Sequence, residues 1–102
     1  MAMTKITDEF LRYMRYEKNR SPLTVKAYHD DLLDFETFFT DRDEALTWQT
    51  VDADIIRDWM EHMMERGNKS ASVNRRLSAV KMLFRFALSR HLVERDPAHM
   101  LE

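Results

Sequence analysis

The chain has 102 residues, a formal net charge of −2, one glycine, two prolines and no cysteine. That length supports one small core rather than two, and the missing cysteine excludes disulfides, thiolate zinc sites and cysteine nucleophiles together. No apolar run reaches the ~20 residues of a membrane span and no basic-then-apolar leader opens the chain, so a cytoplasmic protein without membrane contact is expected.

Four apolar periodicities near 3.6 residues predict four helices. Ile6, Phe10 and Tyr13 or Met14 carry the first, capped by Thr7 or Asp8 and ending between Lys18 and Arg20. The second starts at Ser21-Pro22, a capping residue followed by a proline at the position where its missing N–H costs nothing. Val25, Tyr28, Leu32, Phe35 and Phe39 then fall on one stripe. Asp41 to Thr50 reads as a loop that tucks Leu46 and Trp48 against the bundle. Asp52 caps a third helix with Ile55, Ile56, Trp59, Met60 and Met63, and Gly67 follows where a left-handed backbone is needed. Ser70 or Ser72 caps the fourth, whose Val73, Leu77, Val80, Phe84 and Ala87 or Leu88 face inward before Pro97 ends regular structure. The expected fold is all-α, a single-core bundle of four or five helices.

Charge is unevenly distributed along this bundle. Arg12 to Lys26 carries five cations against Glu17, Arg66 to Val93 carries seven cations and no acid, and Asp30 to Glu65 carries twelve acids against Arg42 and Arg57. Local potential steers a polyanion better than net charge does, so the two basic segments are candidates for nucleic-acid contact. Arg20, Ser21, Thr24, Lys26 and Ala27 cluster at the start of the second helix, where the N–H groups of a helix terminus suit phosphate. Ser72, Asn74, Arg75, Arg76, Ala79 and Met82 lie on the outer and flanking faces of the fourth, where Arg can read guanine, Asn adenine, and either can hold phosphate. The bland alternative is a solvated surface in which Arg75 and Arg76 pair with acids of the third helix.

Catalytic chemistry finds no footing. Of the four histidines, only His62 has a helical partner at four residues, Asp58, which reads as a surface pair. Asp30, Asp31 and Asp34 lack a neighbour that would split their proton affinities and read as a solvated face. No glycine-rich phosphate loop, metal site or cofactor motif is present in the sequence.

Ser21 through Leu32 and on to Phe35, Phe38 and Phe39 resembles the S-x-x-T-x-x-x-Y-x-x-D-L-x-x-F signature opening the second helix of tyrosine-recombinase (phage-integrase) core-binding domains. Ser70 through Phe86 resembles the fourth helix of that family, written around N-R-x-L-S-x-x-R-x-F, with Lys81 where many members have Arg. Asp96-Pro97-Ala98 is similar to the Asn-Pro-Ala that leads into the interdomain linker. The resemblance runs through the whole chain, in order, and is of the Xer or integrative-element integrase type.

It implies a SAM-like core-binding domain over residues 1–96, with 97–102 as the start of the linker or a tag remnant. The implied function is sequence-directed binding of double-stranded DNA at a recombination site, as a monomer in isolation and beside other recombinase protomers at full length. The candidate contacts are Arg20, Ser21, Thr24, Lys26, Ala27, Lys69, Ser72, Asn74, Arg75, Arg76 and Lys81. Catalytic residues would lie in a following domain: no histidine here precedes an arginine by three, and the tyrosines are Tyr13, Tyr16 and Tyr28. The competing functions are a protein-docking module built on exposed Met63, Met64 and Met82, and a small helix-turn-helix regulator.

Overall fold

The computed structural model describes residues 4–101. Among them there are four α-helices and no strand: α1 (Lys5–Arg12), α2 (Pro22–Arg42), α3 (Ala53–Glu65) and α4 (Ser70–Ser89). A π-helical turn, Tyr13–Glu17, prolongs α1.

Helix α1 begins one turn earlier than the expected cap. Thr4 takes the extended N-cap conformation, while Thr7 lies buried inside the helix and donates its hydroxyl to the Thr4 carbonyl at 2.8 Å. Neither Thr7 nor Asp8 caps it. After the π-helical turn the chain reverses through Asn19, whose φ of 55° is tolerated because its short polar side chain suits the left-handed region. Ser21 then caps α2 as expected, its Oγ accepting from the Thr24 N–H at 3.2 Å, with Pro22 in the first helical position.

The α2 stripe is deepest at Leu32, Phe35 and Phe39, whereas Val25 and Tyr28 are only half-buried. Phe35 is the hub of an aromatic cluster, with Trp48 at 5.4 Å, Trp59 at 4.8 Å and Phe39 at 5.1 Å. Trp48 therefore does fold under the bundle, and Val51 is buried close by in the chain. The buried Trp48 indole N–H and one carboxylate oxygen of Glu36, itself buried on α2, have no hydrogen-bond partner. Burial pushes the Glu36 carboxyl up, against the polar groups of Thr4 and Trp48 beside it.

Asp52 caps α3 by accepting from the Ile55 N–H at 3.0 Å. The helix ends in two reverse bonds, Asn68 N–H to the Met63 carbonyl and Gly67 N–H to that of Met64, around Gly67 at φ 94°. The same pair closes α4, with Leu92 N–H on Ala87 and His91 N–H on Leu88, but there the left-handed residue is His91 at φ 60°. Lys69, not Ser70 or Ser72, is the N-cap of α4, and it makes no side-chain capping bond. Along α4 the expected Val73, Leu77, Val80, Phe84 and Ala87 are buried and Leu88 is exposed; Ala79, expected on an outer face, is fully buried as well. Beyond Asp96, Ala98 and Leu101 are also buried in the core, so the residues expected as linker pack on the bundle at these two points.

Helices α2 and α4 run roughly antiparallel. Asp31 meets Arg75 at one point, and Arg20, just before α2, lies with Arg85 and Ser89 near the far end of α4.

Candidate nucleic-acid interface

The surface along α2 and α4 begins in mid-helix with charge pairs. Asp31, at 3% exposure, is buried rather than solvated, and it accepts from both Nη atoms of Arg75, at 2.8 and 3.4 Å. Arg76 sits 4.0 Å from Asp31 and 3.6 Å from Asp34, its buried Nε without a partner. Asp34 also accepts from the Trp59 indole at 3.0 Å and from Arg66 at 3.3 Å. Both arginines thus pair with acids, but with those of α2, forty or more residues back in the chain, and not with the third helix. Burial pushes the Asp31 carboxyl up, and the charges of Arg75 and then Arg76 pull it back.

Towards the start of α2 the surroundings change. Lys26 is exposed and bonded to Asp30 at 3.0 Å, a contact that, with His29, holds the Asp30 carboxyl down. Such an exposed helical pair contributes about 0.3–0.5 kcal/mol and yields readily to a stronger anion. Ser21 is occupied as a cap and also donates to Thr24 Oγ1, while Thr24 and Ala27 are half-buried. Arg20 forms no ion pair among the described residues. It lines an open cleft of about 540 Å³ with Lys18, Arg85 and Arg90, floored by Phe10, Tyr13 and Phe86. Arg90 lies 4.9 Å over Phe86 and 5.4 Å over Tyr13 and touches Glu17 at 3.4 Å.

On α4, Asn74, Ser78, Lys81 and Arg85 recur at steps of four, three and four, which places them on one face. Lys81 is half-buried and the other three are exposed. No acid occurs anywhere in α4, and neither Lys81 nor Arg85 has an ion pair among the described residues. Ser72 is half-buried and Lys69 exposed at the opposite end of the helix. The sequence-derived candidates thus fall into two groups: Lys69, Ser72, Asn74, Arg75 and Arg76 on the first two turns of α4, and Arg20, Ser21, Thr24, Lys26 and Ala27 at the start of α2. Lys81 stands between them.

Lys18, Arg85 and Arg90 were not singled out from sequence. Their position in the basic segments was the available signal; their convergence on Arg20 is tertiary.

Other expected surfaces look different. Met63 is fully buried and Met82 half-buried, so of the three methionines offered as a docking face only Met64 is exposed. That surface does not form. His62 stacks against Phe38 at 5.3 Å, and Asp58 bonds Arg42 instead. Arg57 is held by Asp54 at 2.8 Å. Among the described residues no group of three His, Asp or Glu side chains could hold a metal ion, and no helix is long and apolar enough to cross a membrane.

Comparison with known proteins places this geometry in context. Residues 7–91 match the family model described as phage integrase, N-terminal SAM-like domain. The chain is similar to a tyrosine recombinase XerD of Bradyrhizobium diazoefficiens, 36% identical over 95% of the chain and 30% of that protein. It is also similar to the tyrosine recombinases XerC of Roseiflexus castenholzii (34% identical, 98% of the chain and 32% of that protein) and Pelotomaculum thermopropionicum (33%, 88% and 31%). The chain thus spans about a third of the length of these curated relatives. No solved structure matches.

Proposed function

The chain belongs to the phage integrase N-terminal SAM-like domain family, and on that premise we propose that it binds duplex DNA as the positioning module of a site-specific tyrosine recombinase. The start of α2 and the exposed face of α4 lie along the DNA, in the bacterial cytoplasm, beside further recombinase protomers. Breakage and rejoining of strands belong, in this reading, to a catalytic domain of the same recombinase and not to residues of this bundle.

The observation that carries the reading is the acid-free face of α4, Asn74, Ser78, Lys81 and Arg85, continuing into Lys18 and Arg20 across the cleft. A cation that neutralises a phosphate releases counterions from the DNA, and one without a carboxylate partner gives up no ion pair to do so. Arg42 and Arg57 stand elsewhere, at the end of α2 and on α3, each beside an acid, Asp58 and Asp54.

Titration against one arbitrary duplex at two salt concentrations tests this. Affinity falls by about 0.9 log unit per phosphate contact for each tenfold rise in salt. Arg20→Ala and Arg85→Ala each lower that slope by about one unit, and Arg42→Ala and Arg57→Ala leave it unchanged. Equal losses at all four positions would reduce the interaction to general basicity, and affinity flat in salt would remove DNA as the partner.

A further inference from the structure

Arg75 differs from the other exposed cations of the proposed face in having a buried carboxylate behind it. The Asp31 side chain is 5% exposed and that of Arg75 55%, so the acid lies beneath the arginine and the arginine faces solvent. The two bonds use one N–H of Nη1 and one of Nη2. A guanidinium has five N–H donors in a fixed plane, so Nε–H and the second N–H of Nη2 remain as a parallel pair along one edge. None of the hydrogen bonds among the described residues uses Nε of Arg75.

We infer that Asp31 is a positioning residue that holds Arg75 to read a guanine edge rather than to clamp a phosphate, an inference that rests on the DNA-binding reading above. Two arguments converge on it. The first is orientation: a free arginine must give up side-chain rotamers to present two parallel donors, and Asp31 has already fixed this one. The free edge matches O6 and N7 of guanine in the major groove, the commonest specific contact of arginine. The second is charge. A phosphate approaching Arg75 also meets the negative charge of Asp31 a few ångströms further on, which offsets part of the attraction because Coulomb energy falls only as the inverse of distance. A base edge carries no net charge and loses far less from that carboxylate. Arg76, 4.0 Å from the Asp31 oxygen that Arg75 Nη2 also reaches, helps keep the acid ionised without sharing the exposed position of Arg75. Lys81 and Arg85 have no such carboxylate and are left to the phosphates.

A pool of duplexes with a randomised centre is bound by the chain, and by its Asp31→Asn and Arg75→Lys variants, and the retained sequences are read. The salt slope on unselected duplex and the helical circular dichroism are measured in parallel. The wild type enriches guanine at one position, roughly fivefold to a hundredfold for one bidentate pair. Arg75→Lys keeps the charge, loses the fork and loses the enrichment. Asp31→Asn loses the enrichment yet binds unselected duplex more tightly, with a salt slope steeper by about one unit, because the freed guanidinium takes a phosphate. Those opposite movements are what a merely structural role would not produce. Asp31→Asn that stays helical and keeps the enrichment, or loses enrichment and affinity together, overturns the inference. Should Asp31→Asn not fold, Arg75→Lys decides, and unchanged enrichment in it overturns the inference. Salt-dependent binding by the wild type without an enriched guanine sinks the role of Asp31 and leaves the DNA-binding reading standing; no salt-dependent binding sinks both.

Discussion

Along the antiparallel pair of α2 and α4, the stretch where α4 begins holds Arg66, Arg75 and Arg76 and the stretch where α2 begins holds Lys18, Arg20 and Arg85. On the first, Asp31 and Asp34 face the arginines, and all three have a carboxylate within 3.6 Å. On the second, Arg90 is the only cation lining the cleft that meets an acid among the described residues, Glu17, and the cleft is otherwise floored by aromatic rings. Three arginines thus share two carboxylates on one stretch, while three of the four cations lining the other, Lys18, Arg20 and Arg85, are open to an anion. The count of basic residues in a segment says little about its potential until the facing helix is known.

The comparison depends on α2 and α4 being fixed against each other, and Leu77 is what it most depends on. Leu77 lies 2% exposed on the inner side of α4, immediately after the paired arginines. Leu77→Ala costs about 2–5 kcal/mol in denaturant unfolding, the range for a leucine removed from a packed core. A loss below ~1 kcal/mol would place that side chain outside the core and loosen the pairing of the two helices.

Glu36 sharpens the contrast from within α2. Asp31 and Glu36 are both buried acids, but Asp31 has two arginines and Glu36 has no cation partner among the described residues. The folded chain holds the Glu36 proton more tightly than the unfolded chain does. Its contribution to stability is therefore full below the ordinary carboxylate range and lost as pH rises through the raised folded value. Glu36→Gln should gain on the wild type as pH climbs from that range to neutrality, read as the difference between their thermal midpoints. A constant difference across those pH values would mean that Glu36 titrates alike in both states.

The smallest effect belongs to the open stretch. Ser21→Ala removes the cap of α2 and costs about 1 kcal/mol in thermal or denaturant unfolding. It also frees the Thr24 N–H near the start of α2, so loss of stability with unchanged DNA affinity would show that Ser21 serves the helix alone. A fall in affinity larger than the fall in stability would add its hydroxyl to the DNA contacts.

Much of this bundle was legible because its signals are local. Ser21-Pro22, Asp52 and Gly67 each act on neighbouring backbone, and the α2 and α4 stripes need only the helical repeat. Neither Thr4 nor Lys69 caps through its side chain: lysine carries no capping preference, and Thr4 has Thr7 and Asp8, of equally suitable type, within a turn of it. Asn19 and His91 take the left-handed backbone that glycine takes at Gly67, and nothing in their neighbours announces it. Asp31 reads as solvated because its burial is set by Arg75, 44 residues away. The cleft was illegible for the same cause, since Lys18 and Arg85 meet only once α1 and α4 are packed.

The two tryptophans of the chain, Trp48 and Trp59, are both buried in the core, and the Trp59 indole bonds Asp34 beside Arg66 and Arg76. Their fluorescence is therefore a built-in gauge of packing that does not need a label. Emission should stay blue while DNA is added and move to the red only when the core opens to water. One cuvette can then separate a variant that has lost its grip on DNA from one that has lost its shape, which is the ambiguity that besets every substitution at a paired arginine.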